Sequence, residues 1–168
     1  MSDVQLRPFQ WSDIPAITAI YRHYVETSAA TFDTTAPGEA AMAEKFGHLL
    51  ELGHPLLVAA EKAGDGKVLG YAYASFYRPR PAYRFTCEDS IYLHPDAGGQ
   101  GLGTLLLGEL IARSRAAGFR QMIAVITAGT EASLRLHEKF GFRTVGRHDA
   151  VGFKFDRWLD TLHLQLAL

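Results

Sequence analysis

A glycine-rich turn that follows an apolar strand and opens an apolar helix is the part of this sequence best suited to holding a ligand. The turn runs from Gly98 to Gly103, reads GGQGLG, and comes after Pro95, which ends the strand. Its glycines allow a tight turn and leave room for a ligand to approach the backbone. A helix that begins in such a turn offers free N–H groups and the positive end of its dipole, so the segment predicts a phosphate-binding site.

Two common phosphate-binding motifs do not fit this turn. A P-loop needs Gly-x4-Gly-Lys-Ser/Thr; Gly98 and Gly103 have that spacing, but Thr104 stands at the lysine position. A dinucleotide fingerprint, Gly-x-Gly-x-x-Gly, started at Gly99 or Gly101, needs glycine where Thr104 and Leu106 stand. Two interpretations remain, namely the pyrophosphate turn of coenzyme A and a glycine-rich connection that binds no ligand.

The turn resembles motif A of the GNAT family of N-acetyltransferases, Gln/Arg-x-x-Gly-x-Gly/Ala after a strand, although Gly98 stands where Gln or Arg is usual. Other segments resemble the phosphinothricin acetyltransferase branch of that family, in the right order along nearly the whole chain: His23–Ser28, Tyr83–Leu93, Ala132–Phe142 and Val151–Trp158. The resemblance implies acetyl transfer from acetyl-CoA to the α-amino group of a small glutamate- or methionine-like amino acid, such as phosphinothricin, methionine sulfoximine or methionine sulfone. It also implies a homodimer.

Such a reaction needs a base, because an α-amino group has a pKa of about 8 and is largely protonated at neutral pH. Glu88 is the candidate, since burial on the strand before the turn would raise its pKa from about 4.3 toward the working range. In the resembling family the matching glutamate has this role, often through water. Two alternatives remain open: an ion pair with Arg78, Arg80 or Arg84, and binding of the substrate ammonium without proton transfer.

His137 is predicted to be a general acid for the leaving thiolate, because it stands where many GNAT enzymes carry tyrosine and this branch carries histidine. A packed core histidine and a contact to coenzyme A are the other interpretations. The remaining histidines share no spacing, so no metal site is predicted. Cys87 is interpreted as a buried structural thiol.

The cofactor is expected to lie along the end of the strand, where a free N–H group between Ile91 and Leu93 would stabilise negative charge on the reacting carbonyl oxygen. Thr130 stands where the family usually has an asparagine that touches the pantetheine arm. The predicted cofactor-binding residues are Ile91, Tyr92, Leu93, Gly99, Gln100, Gly101, Leu102, Gly103, Thr104, Thr130 and Ser133.

The carboxylate of an amino-acid acceptor calls for a guanidinium, and Arg78 or Arg80 is the candidate. Aromatic side chains are expected to wall the pocket. The predicted acceptor-binding residues are Phe32, Tyr77, Arg78, Arg80, Tyr83, Glu88, Asp89 and Ser90.

Hydrophobic periodicity and turn residues predict the elements that must position these side chains. The predicted order is strand, two helices, three strands, helix, strand, helix and two strands. The second helix is placed at Gly38–Leu52, with Ala41, Phe46, Leu49 and Leu50 facing inward. This order predicts a mixed α/β three-layer fold, and the resemblance implies GNAT-type α/β/α layers with a mostly antiparallel central sheet, as one domain over residues 1–168.

Composition sets limits on partners and location. With 168 residues, 48% apolar and 21% charged, and a net charge of −1, one domain is expected and no electrostatic case exists for nucleic acid or an anionic membrane. A single cysteine, the absence of a signal-like N-terminus and the absence of a long apolar run predict a cytoplasmic protein. Two other hypotheses remain: a GNAT enzyme for a peptide N-terminus, lysine or polyamine, which the basic 78–84 loop disfavours, and a non-catalytic acyl-CoA-binding protein.

Overall fold

Seven strands and four α-helices make up residues 4–168, the part of the chain that this computed structural model describes. In chain order they are β1 Val4–Pro8, α1 Ile14–Thr27, α2 Glu39–Glu51, β2 Leu56–Glu61, β3 Val68–Phe76, β4 Thr86–Leu93, α3 Leu102–Ala116, β5 Gln121–Thr127, α4 Glu131–Lys139, β6 Arg143–Lys154 and β7 Arg157–Ala167. The predicted order of elements is confirmed.

The strands form one mixed sheet in the order β1-β2-β3-β4-β5-β7-β6. Neighbouring strands are antiparallel except β4 and β5, which are parallel and are joined through α3. This parallel pairing is short: only Thr86–Glu88 of β4 pairs with Gln121–Ile123 of β5. Beyond Glu88 the two strands are no longer paired, and a gap opens in the middle of the sheet.

The helices cover both faces of the sheet. Alternate residues of β2 point to opposite sides, as the period of a strand requires: Val58 packs in the core under α1 and α2, whereas Leu57 packs in the core under α3. Phe46 of α2 and Leu110 of α3 are fully buried in these two cores. The predicted three-layer α/β/α fold is therefore confirmed.

The inward face of α2 differs from the prediction. Phe46 and Leu49 are buried as expected, but Leu50 is 42% exposed and Ala41 is also exposed, while Met42 is buried. The buried positions 42, 46 and 49 follow the i, i+4, i+7 spacing of one helix face. The prediction was wrong because apolar residues on both edges of that face give a broad stripe whose centre the sequence does not define.

None of the helices among residues 4–168 is both long enough and apolar enough to cross a membrane.

Candidate active site

A cavity of about 810 Å³ fills the gap between the diverging ends of β4 and β5. Residues 88–93 of β4 form one wall, residues 124–127 of β5 form the other, and α4 contributes several side chains. Gly101 and Thr104, at the start of α3, lie at the same cavity. The split in the sheet thus connects the glycine turn with Glu88.

The main-chain N–H groups of β4 point alternately to its two neighbours. The N–H of His94 donates to the carbonyl of Leu69, which extends the β3–β4 ladder at 2.8 Å. Because antiparallel pairing alternates along a strand, the N–H of Tyr92 also points to β3, whereas those of Ile91 and Leu93 point toward the gap. The predicted oxyanion-binding role therefore fits the amides of Ile91 and Leu93. It does not fit the amide of Tyr92, which points to β3 as part of the β3–β4 ladder.

The turn before α3 has the geometry of an anion site. Gly99 and Gly101 have φ values of 75° and 77°, in the left-handed region that favours glycine, and a Cβ on either would meet no atom within 4 Å. Gly101 is the N-cap of α3 and no side chain caps that helix end. The first turn of α3 can therefore receive a phosphate, as helix N-termini do.

Close packing of α4 over this turn explains why residue 103 is also a glycine. A Cβ on Gly103 would lie 3.1 Å from a methyl carbon of Leu136. This approach brings Arg135 and Lys139 of α4 to the cavity, where they add positive charge that sequence reasoning missed. Thr130 and Ser133 also line the cavity. A phosphorylated ligand with an acyl arm, such as acetyl-CoA, fits this set of donors.

Glu88 lies where β4 and β5 separate, and its side chain lines the cavity. Burial raises the pKa of its carboxyl and the neighbouring Asp89 raises it further, which outweighs the lowering by Arg78. No ion pair joins Glu88 to an arginine anywhere in residues 4–168, which disfavours the ion-pair alternative. A carboxylate of raised pKa that faces a ligand cavity has the properties of a general base.

His137 is part of a buried ion pair. Its Nε2 lies 2.9 Å from Oδ2 of Asp89, and its Nδ1 lies 2.7 Å from the carbonyl oxygen of Ser133. The two side chains are 5% and 3% exposed. Burial alone lowers the pKa of His137, but the hydrogen bond and charge of Asp89, together with the Ser133 carbonyl, raise it above its usual value.

These contacts change the interpretation of His137. A carbonyl can only accept, so Nδ1 donates to Ser133, and Nε2–H is directed at Asp89. Neither ring nitrogen is left to protonate a leaving thiolate. The geometry therefore favours a structural cation that ties α4 to β4 over the predicted general acid, and it commits one oxygen of Asp89 to His137 rather than to an acceptor.

The predicted acceptor-binding residues fall into two groups. Phe32, Glu88, Asp89 and Ser90 line the cavity, but four others are not among its lining residues. These four are Tyr77, Arg78, Arg80 and Tyr83. They lie on the loop between β3 and β4, at the opposite end of β4 from the glycine turn, where pairing with both neighbours still closes the sheet. A direct acceptor contact for these four residues stays a prediction.

Arg78 nevertheless acts on the site through its charge, since it lowers the pKa of Glu88. Replacing Arg78 with glutamine is expected to raise that pKa, because one opposing charge is lost. The acid limb of the kcat/KM profile for the acceptor should move to higher pH, with less than about a tenfold effect at any pH because exposed charges interact weakly. Arg115→Gln, in the last turn of α3, is the control. A limb that stays in place or moves to lower pH would contradict the prediction.

Sequence reasoning missed several other residues of the cavity. Tyr24 of α1, whose hydroxyl donates to the carbonyl of Leu93 at 2.8 Å, lines it, as do Thr31, Thr127 and Thr161. No local signal marks these positions, because each comes from a different element. On α4, by contrast, the cavity-facing residues recur at spacings of three and four from Ser133. This is a helical pattern that can be recognised in a sequence.

Comparison of this chain with known proteins finds a matching family model and similar proteins. The model of the acetyltransferase (GNAT) family matches residues 17–142. The chain is 51% identical over 157 residues to a phosphinothricin N-acetyltransferase of Alcaligenes faecalis, covering 93% of this chain and 78% of the relative. It is 41% identical over 157 residues to an L-methionine sulfoximine/L-methionine sulfone acetyltransferase of Pseudomonas paraeruginosa, covering 94% and 90%.

A solved structure shows the same fold. The GNAT superfamily phosphinothricin acetyltransferase of Sinorhizobium meliloti, crystallised in complex with acetyl-CoA, has a TM-score of 0.95 to this chain. The two sequences are 48% identical, and the match covers 100% of this chain and 89% of that chain.

Proposed function

This chain belongs to the GNAT family of acetyltransferases, and we propose that it transfers the acetyl group of acetyl-CoA to the α-amino group of a small amino acid or analogue. The acceptors we expect are of the phosphinothricin, methionine sulfoximine or methionine sulfone type, on which its relatives are named as acting. Acetyl-CoA is a cosubstrate, and no metal takes part in the proposal.

One observation carries this proposal: a single cavity joins the uncapped start of α3 to the carboxyl of Glu88. The glycine turn can hold a diphosphate at one end. The amides of Ile91 and Leu93 can hold a thioester carbonyl oxygen in between. Glu88 lies at the other end, where an amine would enter, so the parts stand in the order that acetyl transfer requires.

The chemistry follows from these positions. Glu88 takes a proton from the ammonium, directly or through water, and the neutral nitrogen adds to the carbonyl carbon to give a tetrahedral intermediate. The carbon–sulfur bond then breaks, the thiolate leaves, and the nitrogen releases its extra proton to water as the amide forms. A thiol has a pKa near 8.5, so the thiolate is a tolerable leaving group and needs little help from an acid. The reaction therefore does not depend on proton donation by His137.

An acceptor screen with acetyl-CoA tests the proposal. We expect turnover with methionine sulfoximine, methionine sulfone or phosphinothricin to exceed turnover with polyamines and peptide N-termini by at least about tenfold in kcat/KM. Calorimetry with acetyl-CoA separates the remaining classes. Uptake of acetyl-CoA without turnover of any amine would indicate an acyl-CoA-binding protein, and no uptake would overturn the enzymatic proposal altogether.

The homodimer is also a proposal, and an exposed apolar face on the β6–β7 hairpin supports it. Val151, Phe153 and Trp158 are 55%, 55% and 67% exposed, and β6 is an edge strand. Large apolar groups on a sheet edge are typical of an interface. Sedimentation should show a dimer that Trp158→Glu dissociates, whereas Trp11→Glu, at a tryptophan 58% exposed elsewhere, should leave it intact. A monomeric wild-type protein would refute this proposal.

The cytoplasmic location and the lack of nucleic-acid and membrane partners stay predictions of the sequence.

A further inference from the structure

The loop of residues 28–33, here called the acceptor loop, is held against the sheet by side chains from two strands. Lys154 of β6 is buried, and its Nζ donates to the carbonyl oxygens of Ser28 and Thr31 at 2.8 Å each. The hydroxyl of Thr127 on β5 donates to the carbonyl of Ala29 at 2.6 Å. Three carbonyls of one short loop are thus bound by side chains distant in sequence, which leaves the loop backbone little freedom to shift.

Phe32 lines the cavity together with its acceptor-loop neighbours Ala30 and Thr31, and its ring rests on Gly152 of β6. A Cβ on Gly152 would lie 2.3 Å from Cε2, 2.7 Å from Cζ and 2.8 Å from Cδ2 of Phe32. Gly152 is not required by a left-handed backbone, since it is not among the glycines of positive φ. It is required because the ring occupies the space where a side chain would be.

A bulge in β6 brings Gly152 and Lys154 to the same face. The pairing with β7 shifts register between His148 and Gly152, and within that shift Ala150 adopts a left-handed φ of 53° and donates its N–H to Asp160. After the bulge, strand alternation places the buried Gly152 and Lys154 on one face. The exposed Phe153 lies on the other.

We propose that Gly152 and Lys154 are specificity-determining residues for the acceptor, because they set how far the ring of Phe32 reaches into the cavity. Neither residue lines the cavity. Lys154 anchors the loop backbone, and Gly152 lets the ring lie against β6 instead of projecting into the space that an acceptor side chain would fill. This inference rests on the proposed function and deepens it by assigning control of acceptor size to strand β6.

Gly152→Ala tests the inference, with Gly146→Ala as the matched control. Both glycines lie on β6 outside the left-handed region, but a Cβ on Gly146 would meet no atom within 4 Å. Since the Phe32 ring must leave β6, we expect kcat/KM for methionine sulfone to fall about tenfold in Gly152→Ala. The KM for acetyl-CoA should change less than about twofold, because the cofactor end of the cavity is untouched. Gly146→Ala should match the wild type.

A double-variant cycle shows whether the effect passes through the ring. In a Phe32→Ala background there is no ring to displace, so adding Gly152→Ala should change kcat/KM by less than about twofold. Lys154→Met should raise the acceptor KM while leaving the acetyl-CoA KM unchanged, because the loop loses two of its bonds. Thermal unfolding of each variant identifies any general loss of structure.

The outcomes separate this inference from the proposed function. If the wild-type protein acetylates no amine, the proposed function fails and this inference falls with it. If the wild type is active and Gly152→Ala keeps the acceptor kcat/KM of Gly146→Ala, only this inference is overturned. An equal loss from Gly152→Ala with and without the Phe32 ring would likewise overturn it.

Discussion

Glu88→Gln is expected to lower kcat for the acceptor by at least about 10²-fold, the effect of removing a general base. Glutamine has nearly the same shape as glutamate and keeps a polar group at the gap between β4 and β5, but it cannot take a proton. The KM for acetyl-CoA should change little, because the glycine turn lies at the other end of the cavity. Steady-state kinetics of the two proteins, with each substrate varied in turn, checks this expectation.

The pH profile adds a second, independent test of the same residue. The pKa of Glu88 is raised by burial and by Asp89, so the wild-type rate should fall on the acid side at a pH above the ordinary range of a glutamate. Glu88→Gln should lose that acid limb. The control is Glu109→Gln, which removes a carboxylate that pairs with Arg113 on the surface of α3. Full activity of Glu88→Gln would end the assignment of a base.

Asp89→Asn is expected to lower the free energy of unfolding by about 3 kcal/mol, because it breaks a buried ion pair. This value lies at the low end of the cost of breaking such a pair, since His137 can respond by releasing its proton. For a chain of this length the unfolding midpoint should fall by roughly 6 to 12 °C. Chemical and thermal denaturation measure both quantities. Asp149→Asn is the matched control, because its pair with Arg147 is exposed and surface ion pairs contribute little to stability.

The sign of the pH dependence follows from His137. Its pKa is higher in the folded protein than its usual 6.5, so the folded state binds the proton more tightly than the unfolded state does. The stabilisation is complete below about pH 6.5 and is lost as the pH rises through the folded pKa. Wild-type stability should therefore decline over that interval, and Asp89→Asn should show a weaker decline. Equal stability of the wild type and Asp89→Asn across this range would contradict the ion-pair assignment.

The order of the elements and the glycine turn were predictable because their signals are local. Strand and helix periods, Pro95 and the glycines lie within a few residues of the structures they specify. The positive φ values of Gly99 and Gly101 show why those two positions need glycine. Glu88 could also be predicted as a candidate base, since it lies on the strand that precedes the turn. The error at Ala41 and Leu50 arose where a broad apolar stripe left the centre of the helix face undefined.

The sequence could not show which side chains meet across the fold. His137 and Asp89 lie 48 residues apart, and their contact disfavours the acid role that the family resemblance implied. Arg78 and Arg80 carry the right charge for a carboxylate, yet neither of them lines the cavity. Gly152 contacts Phe32, which lies 120 residues away in the chain, and no local sequence pattern at either position indicates this contact.

Some features of this protein are therefore determined by the local sequence, and others only by the tertiary structure. Its elements, its glycine turn and the position of the candidate base Glu88 follow from neighbours along the chain, because backbone preference and side-chain period act over a few residues. The width of the cavity, the pairing of His137 and the position of Phe32 follow only from the folded chain, since the early separation of β4 from β5 decides which distant side chains face the same space.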